Sequence, residues 1–85
     1  MNKKFYTVEA ADTDDLFLYL TVDGQPYRIR WENCSEKLSE ATPLQRQIIE
    51  ISPSGYGLHW TMLDEDLALS PLLNCAERIL NAVNS

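Results

Sequence analysis

Eighty-five residues leave room for one domain, and a chain of that length withdraws only about 60 to 65 % of its unfolded surface from water, so its core is modest. A composition that is 45 % hydrophobic and 24 % charged excludes a disordered chain, and its Trp, Tyr and Phe residues add large burial per position. A net charge of −6, with seven scattered Lys and Arg, lacks the basic stripe that displaces counterions from a duplex, so no direct nucleic-acid contact is expected.

In chain order, Phe5 to Ala10 gathers β-forming residues ahead of the turn-rich Asp12-Thr13-Asp14-Asp15, which predicts a first strand. Leu16 to Val22 alternates, with Leu16, Leu18, Leu20 and Val22 on one face and Phe17, Tyr19 and Thr21 on the other. Asp23-Gly24 suits a tight turn, and Tyr27 to Trp31 alternates again, setting Arg28 and Arg30 against Tyr27, Ile29 and Trp31. Together these predict a β-hairpin over 16–31.

Ser35 to Ala41 is polar with a capping serine and reads as a short helix. Thr42-Pro43-Leu44-Gln45 supplies a capping residue, a proline at the first helical position and a Gln three residues after the cap, a capping box that starts another helical turn. Ile48 to Ile51 is β-branched, Ser52-Pro53-Ser54-Gly55 turns the chain, and Tyr56 to Trp60 returns as a strand with Tyr56, Leu58 and Trp60 opposite Gly57 and His59. From Ser70-Pro71 onward, Leu72, Leu73, Ala76, Ile79, Leu80 and Val83 recur at helical spacing and predict a helix over about 71–83. The expected fold is therefore a single α+β domain over 1–85. Its small antiparallel sheet is built from two hairpins, with short helices and a C-terminal amphipathic helix packed on it.

Few residues carry chemistry. Cys34 and Cys75 lack the spacing of a disulfide scaffold, zinc ribbon or redox pair and are expected to be buried, reduced thiols. Met1 to Phe5 imitates the start of a secretory signal, but Glu9, Asp12, Asp14 and Asp15 interrupt any apolar region, so a cytoplasmic location is expected; Asn33-Cys34-Ser35 is then an empty glycosylation match. The longest charge-free stretch, Ile51 to Leu63, falls short of the roughly 20 apolar residues of a membrane span. A calcium loop counted from Asp12 would place Phe17 where glycine is needed, and Gly55-Tyr56-Gly57 lacks the rest of a dinucleotide loop.

Pro53 to Leu67 concentrates what remains: His59, Trp60, two glycines and the acids Asp64, Glu65 and Asp66. Histidine is the side-chain type suited to proton transfer near neutral pH, and Asp64 or Asp66 across the turn could orient it. The simpler reading makes His59 a structural or surface residue and the acids a solvated or helix-capping run. One histidine is too few ligands for a zinc site, so no metal and no cofactor is expected. Trp31, Tyr56 and Trp60 form either a core wall or an aromatic contact patch.

Pro53-Ser54-Gly55-Tyr56-Gly57-Leu58-His59-Trp60, followed by Leu63-Asp64-Glu65-Asp66-Leu67, resembles the hallmark of a family of small bacterial proteins named domain of unknown function 2442. The Val22-Asp23-Gly24 turn and the Ala-x-Pro-x-x-Arg-like helix at Ala41 to Arg46 extend the resemblance, which covers roughly 8–73. Thr61 departs from it, since the family often has Pro after the Trp, and the helix beyond Leu72-Leu73 is extra. The resemblance implies a compact α+β module without assigned activity, often beside another small protein as in toxin and antitoxin pairs. The expected function is a non-enzymatic interaction module presenting Tyr56, His59, Trp60, Asp64, Glu65 and Asp66 to a protein partner, for which an acidic surface favours a basic one. The alternative is a small hydrolase or metal-dependent enzyme using His59 with Asp64 or Asp66. Self-association through the C-terminal helix is a further expectation.

Overall fold

The computed structural model describes residues 7–80. The first three strands are β1 (Val8–Thr13), β2 (Phe17–Val22) and β3 (Gln25–Arg30). The predicted hairpin joins β2 to β3 with Val22 opposite Gln25, and Asp23 and Gly24 take positive φ of 52° and 83°. Two positive φ values in a two-residue loop match the right-handed strand twist, which is why Asp-Gly serves there. Phe5 and Tyr6 lie outside the described residues, and β1 runs on through Asp12 and Thr13, residues expected to turn. The turn falls at Asp14, whose carboxylate accepts the backbone N–H groups of Leu16 and Phe17, both at 2.8 Å.

Three short helices follow: α1 (Trp31–Cys34), α2 (Glu36–Ser39) and α3 (Pro43–Gln47). Ser35 caps α2 by accepting the Leu38 N–H at 3.1 Å, and the capping box of α3 forms reciprocally between Thr42 and Gln45. Then come β4 (Ile49–Ile51), β5 (Gly57–Trp60), β6 (Glu65–Ala68), α4 (Leu69–Asn74) and β7 (Glu77–Arg78). The fold is α+β with antiparallel hairpins, as expected, but the hairpins build two sheets, ordered β1-β2-β3-β7 and β4-β5-β6. One core cluster unites them: Val8, Leu18, Leu20, Val22 and Ile29 from the first, Leu58 and Trp60 from the second, and Trp31, Leu38, Leu69 and Leu72 from the helices.

The C-terminal helix expected over about 71–83 does not form at that length. Helix α4 ends at Asn74, and Glu77–Arg78 pairs with β3 as a fourth strand, with Arg78 opposite Tyr27 and Glu77 opposite Arg28. Arg28 donates from Nε to Glu77 at 2.7 Å, and the Ile79 N–H reaches the Pro26 carbonyl at 2.9 Å. The physical reason is the open edge of β3, whose unpaired backbone groups gain a ladder from a strand and nothing from a helix. Leu80, placed by periodicity on the buried stripe, is 71 % exposed, and residues 81–83 lie outside the described residues. Among the described residues, no helix is long and apolar enough to cross a membrane.

Candidate functional site

Hydrogen bonding fixes which side chains meet on the second sheet. Ser52 N–H donates to the Gly57 carbonyl (3.0 Å) and Thr61 N–H to the Ile48 carbonyl (3.3 Å), so the intervening Glu50 and His59 form a hydrogen-bonded pair. By alternation, His59 and Asp66 are a non-hydrogen-bonded pair, the kind in which opposed residues come closest, with Cα atoms about 4.5 Å apart. Accordingly His59 Nδ1 lies 2.7 Å from Asp66 Oδ1. A carboxylate accepts, so Nδ1 carries the proton and Nε2 is the ring's other polar atom. The His59 side chain is 33 % exposed and that of Asp66 78 %, so the pair lies at the surface with its ring half sheltered.

A row of Glu50, His59 and Asp66 therefore crosses the outer face of the sheet. A shallow depression of about 320 Å³ beside it is lined by Ser52, Tyr56, Gly57, His59, Asp66 and Ala68, with Leu58 and Leu67 below. Tyr56 is 49 % exposed at its rim. The Ser52 hydroxyl is engaged with the hairpin turn, accepting the Gly57 N–H at 3.1 Å and meeting Ser54 at 3.2 Å.

The other expected surface residues separate. Trp60 is fully buried and donates its Nε1–H to the Arg46 carbonyl at 3.1 Å, so it belongs to the core and not to the contact surface. Trp31 is buried likewise, with its Nε1–H on the Asp14 carbonyl at 2.9 Å. Glu65, one residue out of phase with Asp66, faces the other way and approaches Lys37 Nζ at 3.6 Å. Asp64 is exposed and takes a positive φ of 53° at the β5–β6 turn, a conformation Asp tolerates better than most residues. The acidic run is thus one turn residue and two strand residues on opposite faces.

Glu50 escaped the sequence reading although the hairpin made it legible: a turn centred on Ser52 to Gly57 places residue 50 opposite residue 59. Strand β6 escaped because three consecutive acids are poor strand formers, and only the inward phase of Glu65 and Leu67 betrays it. Among the described residues, no three His, Cys, Asp or Glu converge as a metal site requires. Cys34 is half-buried, and burial pushes its thiol up to about 12, far from a reactive thiolate; Cys75 is exposed, against expectation.

The first sheet carries a different surface. Arg28 lies 4.6 Å and Arg30 5.7 Å from the Phe17 ring centre, with Tyr19 beside Phe17. Each arginine has a carboxylate beside it, Glu77 hydrogen-bonded to Arg28 at 2.7 Å and Glu32 near Arg30 at 3.6 Å, both pairs exposed to solvent.

A family model described as "Protein of unknown function (DUF2442)" matches residues 8–77. Neither a curated protein nor a solved structure matches the chain.

Proposed function

The chain belongs to the DUF2442 family, and from that premise we propose that it is a non-enzymatic, cytoplasmic protein-interaction module, the accessory or antitoxin-like member of a two-protein system. Its contact surface is the outer face of the β4-β5-β6 sheet, and its partner is basic. The observation that carries this reading is the His59–Asp66 pair at 2.7 Å, flanked by Glu50 and rimmed by Tyr56. An exposed tyrosine supplies a rigid anchor, and carboxylates on both sides of a half-sheltered imidazole match a Lys or Arg from the partner. Net charge of the same sign steers encounter with a basic partner and repels acidic ones.

Isolating the tagged protein from the cell that encodes it and identifying what co-purifies tests this reading. Tyr56→Ala and Asp66→Asn are expected to weaken the recovered partner's affinity by about tenfold or more, the range of an interface anchor or a paired charge. Unchanged affinity in both folded variants would overturn it.

The same 2.7 Å contact also favours a second reading, in which Asp66 orients His59 as a general base for hydrolysis. The attacking group would be water, because the Ser52 hydroxyl is held by the turn and the Cys34 thiol is raised. Hydrolysis of ester substrates that His59→Gln abolishes, without loss of folding, would favour it over the first.

A further inference from the structure

Strand β6 ends the second sheet, and its hydrogen-bond phase leaves main-chain groups without a ladder. Because Leu69 N–H donates to the Tyr56 carbonyl at 2.9 Å, Glu65 and Leu67 turn their backbone groups to β5, and Asp66 and Ala68 turn theirs to the opposite side. Among the described residues, nothing hydrogen-bonds the N–H or carbonyl of Asp66 or the N–H of Ala68; the Ala68 carbonyl opens α4 as the N-cap of that helix. Among the same residues, β5 and α4 are the elements that lie along β6, one as its ladder partner and the other as its continuation. Lys37 reaches the strand at Leu63 and Glu65, not at Asp66 or Ala68, and these last two are exposed. Beside the row of Glu50, His59 and Asp66 runs a row of small residues, Ser52, Gly57 and Ala68, which floors the depression and ends at this edge.

We propose that the β6 edge takes an extended basic segment of the partner protein as a fourth, antiparallel strand of the second sheet. The inference rests on the contact surface proposed above and names how the partner occupies it. Three ladder bonds are on offer: Asp66 exchanges both main-chain bonds with the residue opposite it, and Ala68 N–H donates to the carbonyl two residues earlier in the added strand. Side chains directly opposite one another share a face, so the residue facing Asp66 extends the row of Glu50, His59 and Asp66. Lys or Arg fits there and meets Asp66 Oδ2, while Oδ1 holds His59. Two residues earlier, an aromatic side chain facing Ala68 leans over Ala68 and Gly57, whose small size makes the depression. The residue between the two turns inward beside half-buried Leu67 and is β-branched. The same charge disfavours a second copy, because antiparallel pairing of two β6 edges sets Asp66 opposite or diagonal to its mate in chains of net charge −6.

Amide hydrogen exchange and titration on the whole chain test it, with an end-blocked Lys-Phe-Val-Arg-Thr-Lys peptide as probe. In the free protein the Asp66 and Ala68 amides are expected to exchange faster than those of Glu65 and Leu67, and the peptide slows them. N-methylation of the peptide's Arg is expected to abolish binding and N-methylation of its Val to leave it, since only the first N–H points at β6; the reverse pattern would overturn the antiparallel strand. Ala68→Pro deletes the outward N–H at a φ of −78°, which proline adopts, so this variant is expected to fold and to bind the probe about three- to tenfold more weakly. Unchanged affinity in the folded variant would overturn the proposal. If Asp66→Asn weakens the probe while the Asp66 and Ala68 amides of the unaltered chain stay fast on binding, the side-chain contact surface stands and strand addition falls. Equal binding of Glu-Phe-Val-Glu-Thr-Glu, or protection of the two amides that grows with protein concentration in the free chain and so marks a second copy, would each overturn it.

Discussion

Arg46 and Trp60 join the two sheets through single side chains. The guanidinium of Arg46 donates to the carbonyls of Leu38 (2.9 Å), Ser39 (2.9 Å) and Asp15 (3.3 Å) and lies 4.9 Å over the Trp31 ring, while its own carbonyl accepts from Trp60. A lysine ammonium lacks the planar fork that reaches three carbonyls, so Arg46→Lys is expected to cost about 1 to 3 kcal/mol in urea unfolding, where an exposed charge would cost nothing. Trp60→Ala removes a fully buried indole and is expected to cost about 3 to 5 kcal/mol or prevent folding. At Gly55, φ is +80° and an added Cβ would collide with the Thr7 methyl group, so Gly55→Ala is expected to cost at least about 1 to 2 kcal/mol by the same measurement. The Tyr19 hydroxyl, then the Phe17 and Leu16 N–H groups, hold the Asp14 carboxyl below its ordinary value of 3.8. A lowered folded value means that this stabilisation is present above the unfolded value and is lost as pH falls through the folded one. Asp14→Asn is therefore expected to flatten the acid limb of melting temperature against pH, and an unaltered limb would contradict the assignment.

At the scale of elements, local rules decided what the sequence could reveal. The Asp23-Gly24 turn, the Ser35 cap and the Thr42 to Gln45 capping box each depend on residues within four positions of one another, and each forms as read. Strand β7 was illegible for the opposite reason. Its pairing depends on β3 being left open, a fact set 49 residues upstream at Arg28, while the local apolar period argued for helix. The His59–Asp66 contact lies between: the residues were named, but their meeting required β6, which the acidic run disguised. Truncation after Cys75 tests the role of β7. It should lower the melting temperature and expose the β3 edge, giving self-association that rises with concentration in sedimentation; a monomer of unchanged stability would show that β7 is dispensable.

Among the described residues the molecule is two small antiparallel sheets sharing one core, which turns the outer faces of those sheets to solvent. On the first sheet Arg28 pairs with Glu77 and Arg30 lies near Glu32, whereas the second holds a histidine between two carboxylates at a tyrosine rim. That asymmetry is the ground for proposing the second sheet as the partner surface. The most direct measurement is a titration of the isotopically labelled chain with its co-purified partner, following amide and imidazole resonances. Perturbations centred on Glu50, Tyr56, His59 and Asp66 are predicted, and perturbations confined to Phe17, Tyr19, Arg28 and Arg30 would contradict the assignment.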